Sequence, residues 1–131
     1  MGFLFLLARI LFSIIFIMSG IGHMTRTSQM GEYAKSKNVP APNFFVFISG
    51  VMIFLGGISV LLGLWVTVGA WLLIIFLVPT AFIMHNFWSV EDPMARQNDQ
   101  IHFLKDLALA GGAFFIWYIY IMVPNLPVSI S

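Results

Sequence analysis

The chain contains no cysteine. That excludes disulfides, thiol redox relays, iron–sulfur ligation and covalent haem attachment through a C-x-x-C-H motif, so any redox role needs a bound cofactor. Charge is nearly as scarce: 8% of the 131 residues are Asp, Glu, Lys or Arg, against 60% apolar residues and a mean hydropathy of +0.99. Water-soluble domains carry about 25% charged residues, so this chain belongs in a bilayer. No H-E-x-x-H spacing is present and no nucleotide-binding glycine motif follows a strand, so no metal site is expected. Nor does the N-terminal apolar run fit a signal peptide: it is too long for the core of one, no basic segment precedes it, and no small-residue cleavage site follows. It is expected to remain as a helix. Leu6 stands where a myristoylation start wants Ser or Thr.

Four long apolar runs dominate what is there. Crossing the hydrocarbon takes about 20 apolar residues per helix, and residues 3–22, 43–64, 66–87 and 103–123 each supply them. The expected fold is all-α, a four-transmembrane-helix bundle with antiparallel up-down topology, forming one integral membrane domain over residues 1–131. These helices use most of the chain, so chemistry must sit inside the bundle or in its two polar connections.

The first connection, "TRTSQMGEYAKSKNVPAP", reads as a loop, with Pro40 and Pro42 holding the chain extended before the second helix. Between the second and third helices there is only "GLW". There Gly63 can take the left-handed conformation that ends a helix, and Trp65 suits the membrane interface. The third connection, "SVEDPMARQNDQ", also reads as a loop, with Pro93 unable to continue a helix. Four spans put both long loops on one face. Arg26, Lys35, Lys37 and Arg96 lie there, so the positive-inside rule places the long loops in the cytoplasm and both termini outside.

Arg9, Ser13, Phe16, Gly20 and His23 recur at helical spacing on one face of the first helix. In lipid, helices associate through small residues that permit close approach, so this face should look into the bundle. Ser49, Gly56, Gly57, Ser59 and Gly63 repeat the device in the second helix, and Ala108, Gly111 and Gly112 in the fourth. An ionisable group such as Arg9, some two turns into its span, is costly there. Either its side chain snorkels to the headgroups, or it holds an acidic or carbonyl group at the mouth of a cavity. Pro79 deprives the Ile75 carbonyl of its usual donor and predicts a kink in the third helix.

Two of the three histidines and six of the eleven charged side chains fall within residues 85–112. His85 and Trp88 end the third helix, His102 enters the fourth, Lys105 and Asp106 are expected in its first turn, and His23 ends the first helix toward the same face. Imidazole is the side chain best placed to exchange protons near neutral pH. One reading is plain interfacial anchoring, since helix ends at a membrane boundary collect Trp, His and charge. The other is a site, with His85, Lys105 and Asp106 as catalytic candidates and Arg9, His23, His85, Trp88 and Lys105 as cofactor-binding candidates.

Over nearly its whole length the chain resembles the DoxX family of small four-helix membrane proteins. The likeness lies in "ARILFSIIFIMSGIGHM" in the first helix, "YAKSKNVPAP" before the second, "GG" at residues 56–57, "PTAFIMHNFW" closing the third and "FLKDLALAGG" opening the fourth. Two positions depart from typical members, which often show Lys at His23 and Asn at Asp106. The resemblance implies a component of the bacterial-type inner or plasma membrane tied to quinone-linked or other redox chemistry, as in the thiosulfate:quinone oxidoreductase from which the family takes its name. It also implies quinone as the cofactor and a protein partner subunit. In that reading His85 or Lys105 hydrogen-bonds a quinone oxygen, Asp106 takes up or passes a proton, and Trp88 stacks on the ring. A non-catalytic anchor or assembly subunit for a soluble partner is the alternative, and a small transporter, for which four helices are few without homo-oligomerisation, a further one. Besides the lipid bilayer, a protein subunit or further copies of the chain are the partners considered, and nucleic acid is not expected.

Overall fold

A computed structural model describes residues 2–126. Five α-helices follow one another: α1 Gly2–Thr25, α2 Thr27–Ser36, α3 Pro42–Leu62, α4 Val66–Met84 and α5 Pro93–Met122, with a short 3₁₀ turn, Phe87–Ser89, between the last two. No strand occurs among the described residues. Four segments are long and apolar enough to cross a membrane: Gly2–Thr25, Pro42–Leu62, Val66–Ser89 and Pro93–Met122. Large apolar side chains such as Phe3, Leu11, Phe44 and Phe115 point outward, where a bilayer rather than water would cover them. Small and branched residues fill the inside, with Ile53, Val60, Leu73 and Leu77 at the centre of the core.

Glycine sets how closely the helices approach. α1 meets α3 where a Cβ on Gly20 would lie 2.8 Å from the Gly50 carbonyl oxygen and one on Gly57 would lie 3.1 Å from Phe16 Cβ. α3 meets α4 in the same manner, since a Cβ on Gly56 would come within 2.7 Å of the Leu73 side chain. The small-residue stripes of the first two apolar runs are thus packing surfaces. In α5 the expected stripe is corrected: a Cβ on Gly111 would meet nothing within 4 Å, and only Gly112 looks inward, toward Phe12. The buried α5 positions are instead Asp99, Asp106, Ala110 and Ala113.

The turn between α3 and α4 forms as its residues dictate. Gly63 caps α3 in the left-handed region at φ 66°, and the Leu64 amide donates to the Ser59 carbonyl at 3.0 Å. α4 runs on through Pro79 to Met84.

Both polar connections differ from expectation, for related reasons. The first contains α2, which buries Gly31 and Ala34 against the start of α3 while its remaining faces stay polar. A Cβ on Gly31 would collide with the Asn43 side chain, so glycine lets the helix lie flat there. One small-residue stripe is enough to dock a helix whose overall composition reads as a loop. In the second connection Pro93 opens a helix rather than preventing one. It occupies the first turn, where its missing N–H costs nothing, and the Asp92 carboxylate caps the helix by accepting from the Ala95 amide at 2.9 Å. α5 therefore begins at Pro93, not near residue 103, and its 30 residues span about 45 Å. Lys105 and Asp106 lie well inside it rather than in its first turn, and Asp92 meets the positive end of the helix dipole.

Candidate functional site

Extending α5 through the polar stretch places Asp99, His102 and Asp106 at i, i+3 and i+7, on one face. His85, the residue that ends α4, lies against that face. Its Nδ1 is 3.5 Å from Asp99 Oδ1 and its Nε2 is 3.6 Å from Asp106 Oδ2, so the ring stands between two carboxylates. Both aspartates are buried, at 8% and 6% exposure. The separations exceed those of a good hydrogen bond, and Nδ1 makes none. The ring turns one nitrogen to each acid. The His102 ring stacks on His85 at 5.1 Å. Lys105 Nζ donates to His102 Nδ1 at 3.2 Å, which fixes the lone pair on that nitrogen and leaves the proton of a neutral His102 on Nε2.

α2 and the residue after it supply the other wall. Lys37 Nζ donates to Asn86 Oδ1 at 2.8 Å and to Asp99 Oδ2 at 3.3 Å. The Tyr33 hydroxyl, one turn earlier, stands 3.2 Å from the Met84 carbonyl and 3.4 Å from Asp99 Oδ1, with one proton to give to either acceptor. It thereby serves one of the carbonyls left over at the end of α4. Burial, and then the Asp99 charge beside it, push the Tyr33 phenol above its ordinary value. On the apolar side, Trp88 packs edge-on against Phe87 and Phe103, with ring centroids at 5.3 and 5.6 Å, and remains 48% exposed.

The candidates read from the sequence thus divide. His85, Trp88, Lys105 and Asp106 gather at one end of the bundle. His23 sits apart in the α1–α3 contact: its Nδ1 donates to the Ser19 carbonyl at 2.7 Å and its ring meets Phe76 edge-on at 5.8 Å. Arg9 lies toward the α3–α4 turn. It is 2% exposed, its Nη2 donates to the Leu61 carbonyl at 2.9 Å, and its guanidinium lies 5.2 Å from the Phe5 ring. Of the two readings open for Arg9, the carbonyl partner is the one observed. Asp99, Lys37, Asn86 and Tyr33 join the site without being candidates from the sequence. The available signal for Asp99 is its heptad distance from Asp106, readable only once Asp92-Pro93 is taken as a helix start; for Tyr33 and Lys37 it is their spacing of four.

Spans and site together define a small integral membrane protein whose ionisable side chains collect where polar helical segments meet the apolar bundle. The chain belongs to the DoxX family, whose model matches residues 4–86. It is 32% identical over 108 residues to the inner membrane protein YphA of Escherichia coli (strain K12), a match covering 82% of this chain and 76% of that one. With four apolar spans, it is an integral inner-membrane protein. No solved structure matches it. The family match takes in Lys37, His85 and Asn86 but stops before α5, so the two carboxylates that flank His85 lie beyond it.

Proposed function

We propose that the chain is a membrane subunit or accessory of a quinone-linked oxidoreductase system, in which His85 handles protons beside a headgroup site at Trp88 and Lys105. The observation that carries this reading is the imidazole held between two buried carboxylates at the membrane boundary. A neutral imidazole can take a proton on one nitrogen and release one from the other, so His85 can hand protons between Asp99 and Asp106 without leaving its place. Lys37 and Tyr33 hold Asp99 at the polar end of this chain of groups, and the His102 ring holds His85 from the side.

A quinone headgroup asks for hydrogen-bond donors at its carbonyl oxygens, a flat apolar wall and a nearby proton carrier, and this end of the bundle has all three. Lys105 and the Nε2–H of His102 are the donors, the half-exposed face of Trp88 the wall, and Asp106 the carrier. A bound quinone would supply electron transfer coupled to proton uptake and release. The residues orient it, exclude water on the aromatic side and hold protons at the His85 and Asp106 atoms that face each other.

On this proposal the chain forms one domain whose spans alternate in direction, with the polar segments around α2 and the start of α5 in the cytoplasm. The contact between Lys37 and Asp99, which brings those segments to one end, and the basic residues Arg26, Lys35, Lys37 and Arg96 support it. Gentle purification with native lipids, followed by intact mass spectrometry and quinone extraction, is the test. Retained quinone, reduced by His85→Ala together with any quinone-linked activity, is expected. A wild-type protein without quinone, and an activity indifferent to His85→Ala, would end the proposal. A second reading, an anchor for a soluble partner, draws on the first turns of α5, where residues 91–98 are all exposed and Met94 is 81% so. There a stoichiometric partner should co-purify and be lost when Glu91, Asp92 and Arg96 are neutralised.

A further inference from the structure

Tyr33 and Lys37, spaced by four, turn toward Asp99. Ser28, Glu32 and Lys35, at i, i+4 and i+7, share a different face of α2. With Asn43 and Phe44, from the first turn of α3, they line a groove of about 480 Å³, and all five are exposed. Glu32 and Lys35 stand three residues apart on one helix, a spacing at which opposite charges can pair. They do not: the ion pairs among the described residues are those of Lys37 and His85. A carboxylate and an ammonium therefore stand side by side on the groove, neither taken up by the protein itself.

The place of the groove narrows what can use both charges. Phe44 lines it and also stands at the start of the span Pro42–Leu62, 61% exposed. Ile48 and Leu55, at i+4 and i+11, carry the same outward apolar face down the helix. The groove thus lies at headgroup depth, above a surface that acyl chains would cover. A phosphate suits Lys35 and the Ser28 hydroxyl, and a primary ammonium suits Glu32. A headgroup with phosphate but no amine would set a second negative charge beside Glu32, and a quaternary amine would bring no N–H for the carboxylate to accept. We propose that this groove binds the zwitterionic headgroup of a phospholipid that carries a primary amine, with the acyl chains along the outer face of α3. The inference does not rest on the quinone reading, which uses the other face of α2.

The test is a lipid titration of the purified full chain in a non-ionic detergent, read by native mass spectrometry. The probes are phosphatidylethanolamine, phosphatidylcholine and phosphatidylglycerol with identical acyl chains, and soluble phosphoethanolamine. The ethanolamine lipid should bind saturably and about fivefold more tightly than the other two, the size of an exposed ion pair. Lys35→Gln should weaken all three lipids, because phosphate is common to them. Glu32→Gln should lower the ethanolamine lipid to the affinity of the choline lipid without lowering the glycerol lipid, a pattern that damage to the fold would not produce. Equal binding of the ethanolamine and choline lipids to the parent, tighter binding of the glycerol lipid, or affinities indifferent to either substitution would overturn the site. Phosphoethanolamine binding as tightly as the lipid would overturn the membrane as the source of the headgroup.

Discussion

The two ends of this bundle solve one problem, how to keep ionisable side chains in a protein made mostly of apolar residues, in opposite ways. Toward α2 and the start of α5, Lys37 meets Asp99 charge to charge, and the His85 ring turns one nitrogen to Asp99 and the other to Asp106. Toward the α3–α4 turn, a cation reaches the backbone: Arg9 donates to the Leu61 carbonyl at the end of α3, where the helix presents its negative pole. The first arrangement has several groups that can exchange protons with one another. The second joins a guanidinium, which only donates, to a backbone carbonyl, which only accepts. The proton handling proposed above therefore belongs to the end that holds His85.

The largest effect should come from removing the residue that three others share. Asp99→Ala leaves Lys37 with Asn86 and the face of the Tyr33 ring, takes away one of the two carboxylates beside His85 and leaves the Tyr33 hydroxyl to the Met84 carbonyl. Breaking a buried ion pair by deleting one partner costs about 3 kcal/mol or more, and a loss of that size is expected in denaturant unfolding of the detergent-solubilised protein. Adding Lys37→Met should restore part of it, because the stranded cation goes too. A double variant no more stable than Asp99→Ala would show that pairing with Lys37 is not what holds Asp99.

Arg9→Met should do less. It removes the hydrogen bond to the Leu61 carbonyl and the contact with the Phe5 ring, two contacts with uncharged groups. A cost of about 1–2 kcal/mol is expected by the same unfolding measurement. A loss as large as that of Asp99→Ala would mean that the two ends do not differ in kind.

Much of this architecture is legible in the residues, and the illegible part has a single cause. Runs of 20 or so apolar residues announce spans whatever surrounds them, and Gly63 announces the end of α3 by its backbone freedom alone. The polar segments are harder because polarity passes for irregularity. "TSQMGEYAKS" has only Gly31 and Ala34 to bury, too faint a stripe to stand out, and Asp92-Pro93 is a helix start when read from its capping chemistry but a break when read from proline alone. Misplacing the start of α5 hides Asp99, since its position relative to Asp106 has meaning only on a continuous helix. His85, Trp88, Lys105 and Asp106 stand out because they flank the boundary that the apolar runs define, whereas Lys37 and Tyr33 reach the site only through the packing of α2.

The smallest effect gives the sharpest comparison, because each end has a tyrosine hydroxyl and, among the described residues, it is that of Tyr33 which faces a carboxylate. The Tyr33 phenol is pushed above its ordinary value near 10 by burial, then by the charge and the hydrogen bond of Asp99. Its proton is thus held more tightly in the folded chain than in the unfolded one. The stability this provides is present below the unfolded value of about 10 and is lost as pH rises through the folded value. Asp99→Asn removes the charge but keeps the shape, so the phenol should fall part of the way back, with the contribution of burial remaining. Phenolate absorbance, taken as the difference between each protein and its Tyr33→Phe counterpart, isolates this residue from Tyr118 and Tyr120. A matching difference against Tyr120→Phe should not respond to Asp99→Asn, because the charge of Asp99 belongs to the other end of the bundle. If both tyrosines moved together, the separation of the two ends would fail.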